Sequence, residues 1–235
     1  AEEAATIPVA YTTAHYSLHH LARLRKGESV LIHSAAGGVG LAALEIAQSI
    51  GATVYATVGT PEKRDYLKSR GVEYVMDSRT LDFAEEIMAF TDGRGVDVVL
   101  NSLAGEAIPK GLSALSTGGR FVEIGKMDIH SGAKLDLSPF RKNLSFFAVD
   151  LQRIDMDRPE MIVELWREVV RLIADGVVKP LPYRYFPVSD VSDAFHYMAQ
   201  GKHIGKILIG FDDREIEVEE YVPAAPGIRE DATYL

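Results

Sequence analysis

The chain has 235 residues, 47% hydrophobic and 25% charged, with no cysteine and a net charge of −9. At roughly 100–200 residues per domain this is one large domain, or one domain and a fragment. The missing cysteine excludes disulfide scaffolds, cysteine–zinc sites and a cysteine nucleophile, and no run nears the ~18 apolar residues of a membrane helix. The charge is uneven: residues 212–235 hold eight acids and two bases, leaving the body nearly balanced. No basic face for nucleic acid is therefore expected, nor any membrane partner, and a cytoplasmic setting fits.

Residues 1–25 read as a lead-in helical region. His15 and His19 stand i,i+4, the spacing of a shared helix face, while His19 and His20 point in different directions. Without a nearby carboxylate or cysteine, no metal site is expected there. Beyond residue 26, short β-branched runs alternate with helical stretches. Strands are expected at Ser29–His33, Thr53–Val58, Tyr74–Met76, Val96–Leu100, Gly119–Ile124 and Leu144–Val149. Helices are expected at Val39–Ile50, Pro61–Arg70, Phe83–Phe90, Glu106–Leu115 and Glu160–Ala174, the last capped by Gly176. Strands buried on both faces and joined by helices make a parallel sheet, and six in this rhythm make a doubly wound Rossmann domain. Pro180, Pro182 and Pro187 then break the pattern. A strand–helix–strand piece follows, with its helix at Asp190–Gln200 and its last strand at Lys206–Gly210. It is expected to pack off the main sheet. Residues 215–219 alternate charged and apolar as an edge strand would, and residues 223–227 read as a linker.

The first strand runs into Ser34-Ala35-Ala36-Gly37-Gly38-Val39-Gly40 and then a helix. A dinucleotide turn needs small residues at three positions, here Ala35, Gly37 and Gly40. Gly37 admits a pyrophosphate close to the backbone, Gly40 lets helix and strand pack closely, and the helix N-terminus offers free N–H groups. About twenty residues on, NAD-binding turns place an acid for the ribose. This chain has Val58-Gly59-Thr60 there, followed by Lys63 and Arg64, with Ser78 and Arg79 after the third strand. A missing acid and nearby cations favour the 2′-phosphate of NADP(H). Lys63 is assigned to that phosphate; Arg64 is divided evenly between it and a solvated helix face. No P-loop, nucleophile elbow or Tyr-x-x-x-Lys pair is present. His33 ends a buried strand and reads as structural.

With these residues in place, His33–Gly40 resembles the medium-chain dehydrogenase/reductase superfamily, in its zinc-free quinone-oxidoreductase branch. Asn101-Ser102-Leu103-Ala104-Gly105-Glu106, Gly118–Lys126 and Lys202-His203-Ile204-Gly205-Lys206 are similar to the enoyl reductase domains of modular polyketide synthases and animal-type fatty acid synthases. Where the superfamily's zinc enzymes keep a cysteine, this chain has Ile7-Pro8-Val9. The resemblance implies an NADPH-dependent reductase of a 2-enoyl thioester carried on acyl carrier protein. It implies Lys126, after the fifth strand, as proton donor or enolate stabiliser, and Asp150, after the sixth, as its partner. Asp128 is a rival acid. The cofactor would meet Ala35, Ala36, Gly37, Gly38, Val39 and Gly40 at its phosphates, Thr60, Lys63, Ser78 and Arg79 at its adenosine end, and Asn101, Leu103 and Gly125 at its nicotinamide end. The implied organisation is a lead-in region (1–25), an NADP-binding Rossmann domain (26–176), the C-terminal part of a GroES-like substrate domain whose remainder is not in this sequence (177–211), and an acidic linker toward a ketoreductase (212–235). Two other readings stay open: a stand-alone NADPH quinone or alkenal reductase, and a nucleotide-binding fragment without activity of its own.

Overall fold

A computed structural model describes residues 1–212. Its centre is a six-stranded parallel sheet: β1 (Ser29–Ile32), β2 (Thr53–Val58), β3 (Tyr74–Asp77), β4 (Val96–Asn101), β5 (Leu115–Glu123) and β6 (Ser145–Ala148). The spatial order is β3-β2-β1-β4-β5-β6, so the chain works outward from β1 to one edge and returns to build the other. That reversal opens a crevice at the carboxyl ends of β1 and β4, where doubly wound sheets take their ligands.

Alternation along each strand makes two cores. Val30, Ile32, Val54, Ala56, Val98, Leu100 and Val122 face one side, against helices α2 (Pro8–His15), α3 (Gly38–Ile50) and α9 (Pro159–Ala174). Leu31, Tyr55, Met76, Val99 and Phe121 face the other, against α5 (Phe83–Phe90) and α6 (Ala107–Ser113). Successive strand residues point to opposite faces, so the buried strands favour apolar residues at consecutive positions, and the sequence rhythm records that demand. The remaining helices are α1 (Glu2–Ala5), α4 (Pro61–Ser69), α7 (Met127–Ser131), α8 (Leu151–Asp157) and α10 (Val191–Ala199).

Three details depart from the sequence reading. Helix α6 ends at Ser113, and β5 begins at Leu115 rather than Gly119. Val96 pairs with Leu115 and Val98 with Arg120, so the ladder slips around the Gly118-Gly119 pair. The glycines that read as a strand start are a bulge inside one. Helix α2 does not end at His15 but widens into a π-helical turn over Tyr16–Leu21. Short helices α7 and α8, which carry no long periodic pattern, cap the carboxyl ends of β5 and β6.

After α9 the chain first packs on the Rossmann core, burying Val178 and Leu181, and then forms a small separate sheet. Strand β7 (Tyr183–Pro187) pairs in parallel with β8 (Lys206–Gly210), with α10 crossing over between them. As expected, it stands off the main sheet. It is tied to that sheet at the glycine turn, where Gly205 N–H donates to the Ala36 carbonyl at 2.9 Å. Gly205 sits at φ +73°, and a Cβ there would collide with the Pro182 carbonyl, so only glycine makes this crossing. Residues 213–235, including the edge strand and linker expected at 215–219 and 223–227, lie outside the described residues.

Candidate functional site

The turn after β1 is set by close packing. Gly37, in extended conformation, is the N-cap of α3, and no side chain caps the helix. The N–H groups of the first helical turn, Gly38, Val39 and Gly40, therefore lack intrahelical partners and face the crevice mouth with the positive end of the helix dipole. A Cβ on Gly40 would lie 2.5 Å from Ala35 Cα and 2.6 Å from the Ser34 carbonyl oxygen. Any larger residue would push α3 off the turn. Ala35 and Ala36 are buried beneath it.

A cleft of about 350 Å³ extends from the turn, walled by Ala36, Gly37, Gly59, Thr60, Lys63, Ser78, Arg79, Gln200, Gly201 and His203 among others. Among the described residues no carboxylate lines it. Thr60 Oγ1 caps α4 by accepting from Lys63 N–H. Lys63 Nζ donates to the Gly201 carbonyl at 2.6 Å, and burial lowers its pKa. Burial also lowers the pKa of His203, helped by the charges of Lys63 and Lys206. With Lys63, Arg79 and His203 on its walls and no carboxylate among the described lining residues, the cleft suits an anion. Arg64 turns away and donates to the Val75 carbonyl at 2.8 Å. Of the two adjacent bases, only Lys63 reaches the cleft. Sequence reasoning assigned no role to Gln200, Gly201 or His203. The signal was the Lys202–Lys206 motif, but Gly201 beside it lies 138 residues beyond Lys63, and the two regions meet through the Gly37–Gly205 bridge and the Gly205–Ala36 hydrogen bond.

At the carboxyl ends of β4 and β5 a buried carboxylate organises the backbone. Asn101 Nδ2 donates to the Leu103 carbonyl at 2.7 Å and to Glu123 Oε2 at 2.5 Å. Glu123 Oε1 accepts from Gly125 N–H at 2.6 Å. Burial pushes the Glu123 carboxyl up to about 7, against the opposing pull of Asn101 and the Gly125 N–H. The Asn101 side chain is spent on bracing this loop, and Glu123, which the sequence reading passed over as a strand residue, is the brace.

Lys126 and Asp150 meet across the ends of β5 and β6. Their Nζ–Oδ1 distance is 2.7 Å, and their side chains are 42% and 36% exposed. Asp150 is also the N-cap of α8, accepting from Arg153 N–H at 3.2 Å. The Lys126 ammonium, with that N–H, holds Asp150 below the usual carboxylate range. The rival, Asp128, instead accepts from Gly105 N–H at 3.1 Å. An apolar groove of about 670 Å³ begins at Leu151, directly after Asp150, and runs past Pro8, Val9, Ile162 and Trp166. His33 is buried in the core as the sequence suggested, with its Nδ1 2.9 Å from Thr57 Oγ1, but it is not fully satisfied, because its buried Nε2 has no partner among the described residues. Among the described residues no helix is long and apolar enough to cross a membrane.

A Rossmann sheet with a glycine turn, an uncapped helix N-terminus and a cation-rich cleft has the features of a dinucleotide-binding domain. The zinc-binding dehydrogenase family model matches residues 38–174. The chain is 49% identical over 234 residues to a polypeptide of the phenolphthiocerol/phthiocerol polyketide synthase of Mycobacterium tuberculosis, covering 99% of this chain and 11% of that protein. Among solved structures, the CurK enoyl reductase superposes with a TM-score of 0.80 at 47% identity, covering 88% of this chain and 62% of that one. The nucleotide-binding subdomain of the PpsC enoylreductase domain from Mycobacterium tuberculosis superposes at 0.71 with 51% identity, covering 74% and 97%. The chain belongs to the zinc-binding dehydrogenase family, within the medium-chain dehydrogenase/reductase superfamily, and to its polyketide synthase enoyl reductase domains. The residues at the turn and cleft suit a nicotinamide cofactor. The chain spans about 11% of the length of the polyketide synthase it matches, a protein far larger than one catalytic domain.

Proposed function

We propose that this chain is the nucleotide-binding part of an enoyl reductase that uses NADPH to saturate a 2-enoyl thioester on acyl carrier protein, within a cytoplasmic multidomain synthase. The observation that carries the reading is the Lys126–Asp150 pair at the strand ends, on the side of the sheet where the glycine turn opens. The free N–H groups of Gly38, Val39 and Gly40 would hold the pyrophosphate, and Lys63, with Ser78 and Arg79 beside it, would hold the 2′-phosphate. Asn101, Leu103 and Gly125, braced by Glu123, would border the nicotinamide. When bound, the cofactor supplies hydride to the β-carbon of the substrate.

The protein's task is the other half of the reaction. Negative charge develops on the thioester oxygen, and the α-carbon must gain a proton. The Lys126 ammonium stabilises that charge and gives a proton to the α-carbon, becoming a neutral amine. Its exposure lets solvent restore the proton. Asp150 orients the ammonium through their 2.7 Å ion pair. The apolar groove beside Asp150 supports an acyl chain lying across α8 and α9. The domain pattern is part of the same reading: residues 26–176 bind the cofactor, residues 177–211 complete a substrate domain, and residues 212–235 lead toward a ketoreductase.

The test is NADPH oxidation by the whole synthase module, comparing a crotonyl-pantetheine thioester with a simple quinone. Faster turnover of the thioester is the expected result. Preference for the quinone would remove the acyl-carrier reading.

A further inference from the structure

The π-helical turn after α2 creates a side-chain cluster that the reductase reading does not use. In an α-helix, His15 pairs with His19 at i,i+4, and these two rings do stack at 4.9 Å. The wider turn over Tyr16–Leu21 brings His20, at i+5, round beside His15 as well. The His15 and His20 rings meet edge to face at 5.3 Å. Both direct Nε2 at one oxygen of Glu168, on α9: His15 at 2.6 Å and His20 at 2.7 Å from Oε2. The ligand atoms of all three lie within 4.8 Å of one another.

We propose that His15, His20 and Glu168 form a binding site for a divalent transition metal of the zinc type. Two imidazoles and one carboxylate are a zinc donor set that leaves a fourth position for water. His15 is only 5% exposed and fixed by the core, and its Nδ1 is buried without a partner, so Nε2 is the ring's one polar outlet. His20 and Glu168 are 35% and 38% exposed, which opens the fourth position to solvent. Ligand atoms about 2.0–2.2 Å from a tetrahedral metal stand further apart than hydrogen-bonded ones, and the half-exposed Glu168 carboxylate is free to swing outward by that margin.

The site is remote from the reductase chemistry. His20 borders Glu28, which precedes β1, and Ser145, which opens β6, so the cluster lies at the amino end of the sheet. Lys126 and Asp150 follow its carboxyl end. A metal here would fasten the π-helical turn to α9 and act on stability. Local sequence could not reveal the site, because its carboxylate is supplied 148 residues beyond His20.

The test uses the tag-free chain, stripped with chelator and desalted, then titrated with zinc chloride. The expected result is one equivalent bound and a melting temperature raised by about 5 °C or more at a hundredfold excess over Kd. His20→Ala and Glu168→Gln, both at half-exposed positions, should each weaken zinc binding at least about tenfold and abolish the shift. His19→Ala should retain both, because His19 stacks on the cluster without belonging to it. Circular dichroism confirms that each variant is folded. Absence of a bound equivalent would overturn the proposal. So would binding that survives His20→Ala in the folded variant, because the metal would then sit elsewhere.

Discussion

The glycine turn after β1 and the loops after β5 and β6 lie on the same side of one sheet but are built by different means. The turn is made of backbone: its shape is fixed by what a Cβ would strike, and its binding groups are N–H donors that no substitution short of proline removes. The Lys126–Asp150 site is made of side chains, 42% and 36% exposed and held by one ion pair and one helix cap. A cofactor that serves every turnover can be met by a rigid cradle. If Lys126 is the proton donor, its exposure lets solvent restore the proton after each turnover.

Four substitutions would sharpen or break that contrast. Lys126→Ala should slow enoyl reduction by about 10²–10⁴-fold, the usual weight of a positioned acid, while leaving NADPH affinity unchanged. Stopped-flow kinetics with fluorescence titration of NADPH separates the two; unchanged turnover would remove Lys126 from the mechanism. Glu123 comes next. Its folded pKa of about 7 lies above its ordinary 4.5, so the folded state binds more protons between those values. The stability it contributes is fully present below 4.5 and is lost as pH rises through 7, a fall of roughly 3 kcal/mol. Urea unfolding of wild type and Glu123→Gln across pH 5–8 should show this slope in the first and a flatter one in the second.

Gly40→Ala should cost about 1–3 kcal/mol by forcing α3 away from Ala35. It should weaken NADPH and NADH alike, since the phosphate cradle serves both. Lys63→Ala should be the smallest in energy and the most selective. Calorimetry should show NADPH affinity falling about tenfold with NADH affinity unchanged. Equal losses for both cofactors would mean that Lys63 does not meet the 2′-phosphate.

The same division governs what the sequence disclosed. Strands β1, β2 and β4 were legible because burial on both faces leaves few polar residues to blur the pattern. The turn was legible because glycine marks the points where atoms crowd. The β5 boundary was not, because the Gly118-Gly119 pair signals a break equally well at a strand's start or at a bulge within it. Glu123 was hidden by its place in an apolar strand: one carboxylate among apolar neighbours shows no sign that Asn101 and Gly125 will meet it. His20 and Glu168 were hidden twice, first by a helical turn of unusual width and then by their distance along the chain. Lys126 and Asp150 were identified through a family resemblance. From the residues alone one reads only that both follow strand ends.

The Lys63–Gly201 and Ala36–Gly205 hydrogen bonds carry a thermodynamic consequence. A nucleotide bound in the cleft would touch the Rossmann sheet and the small β7–α10–β8 unit at once, so its binding energy would be shared with the docking of one upon the other. Linkage makes this reciprocal: whatever factor by which docking tightens the nucleotide, the nucleotide must tighten docking by the same factor. Occupancy of the cleft and the docking of the small unit would then be two readings of one equilibrium.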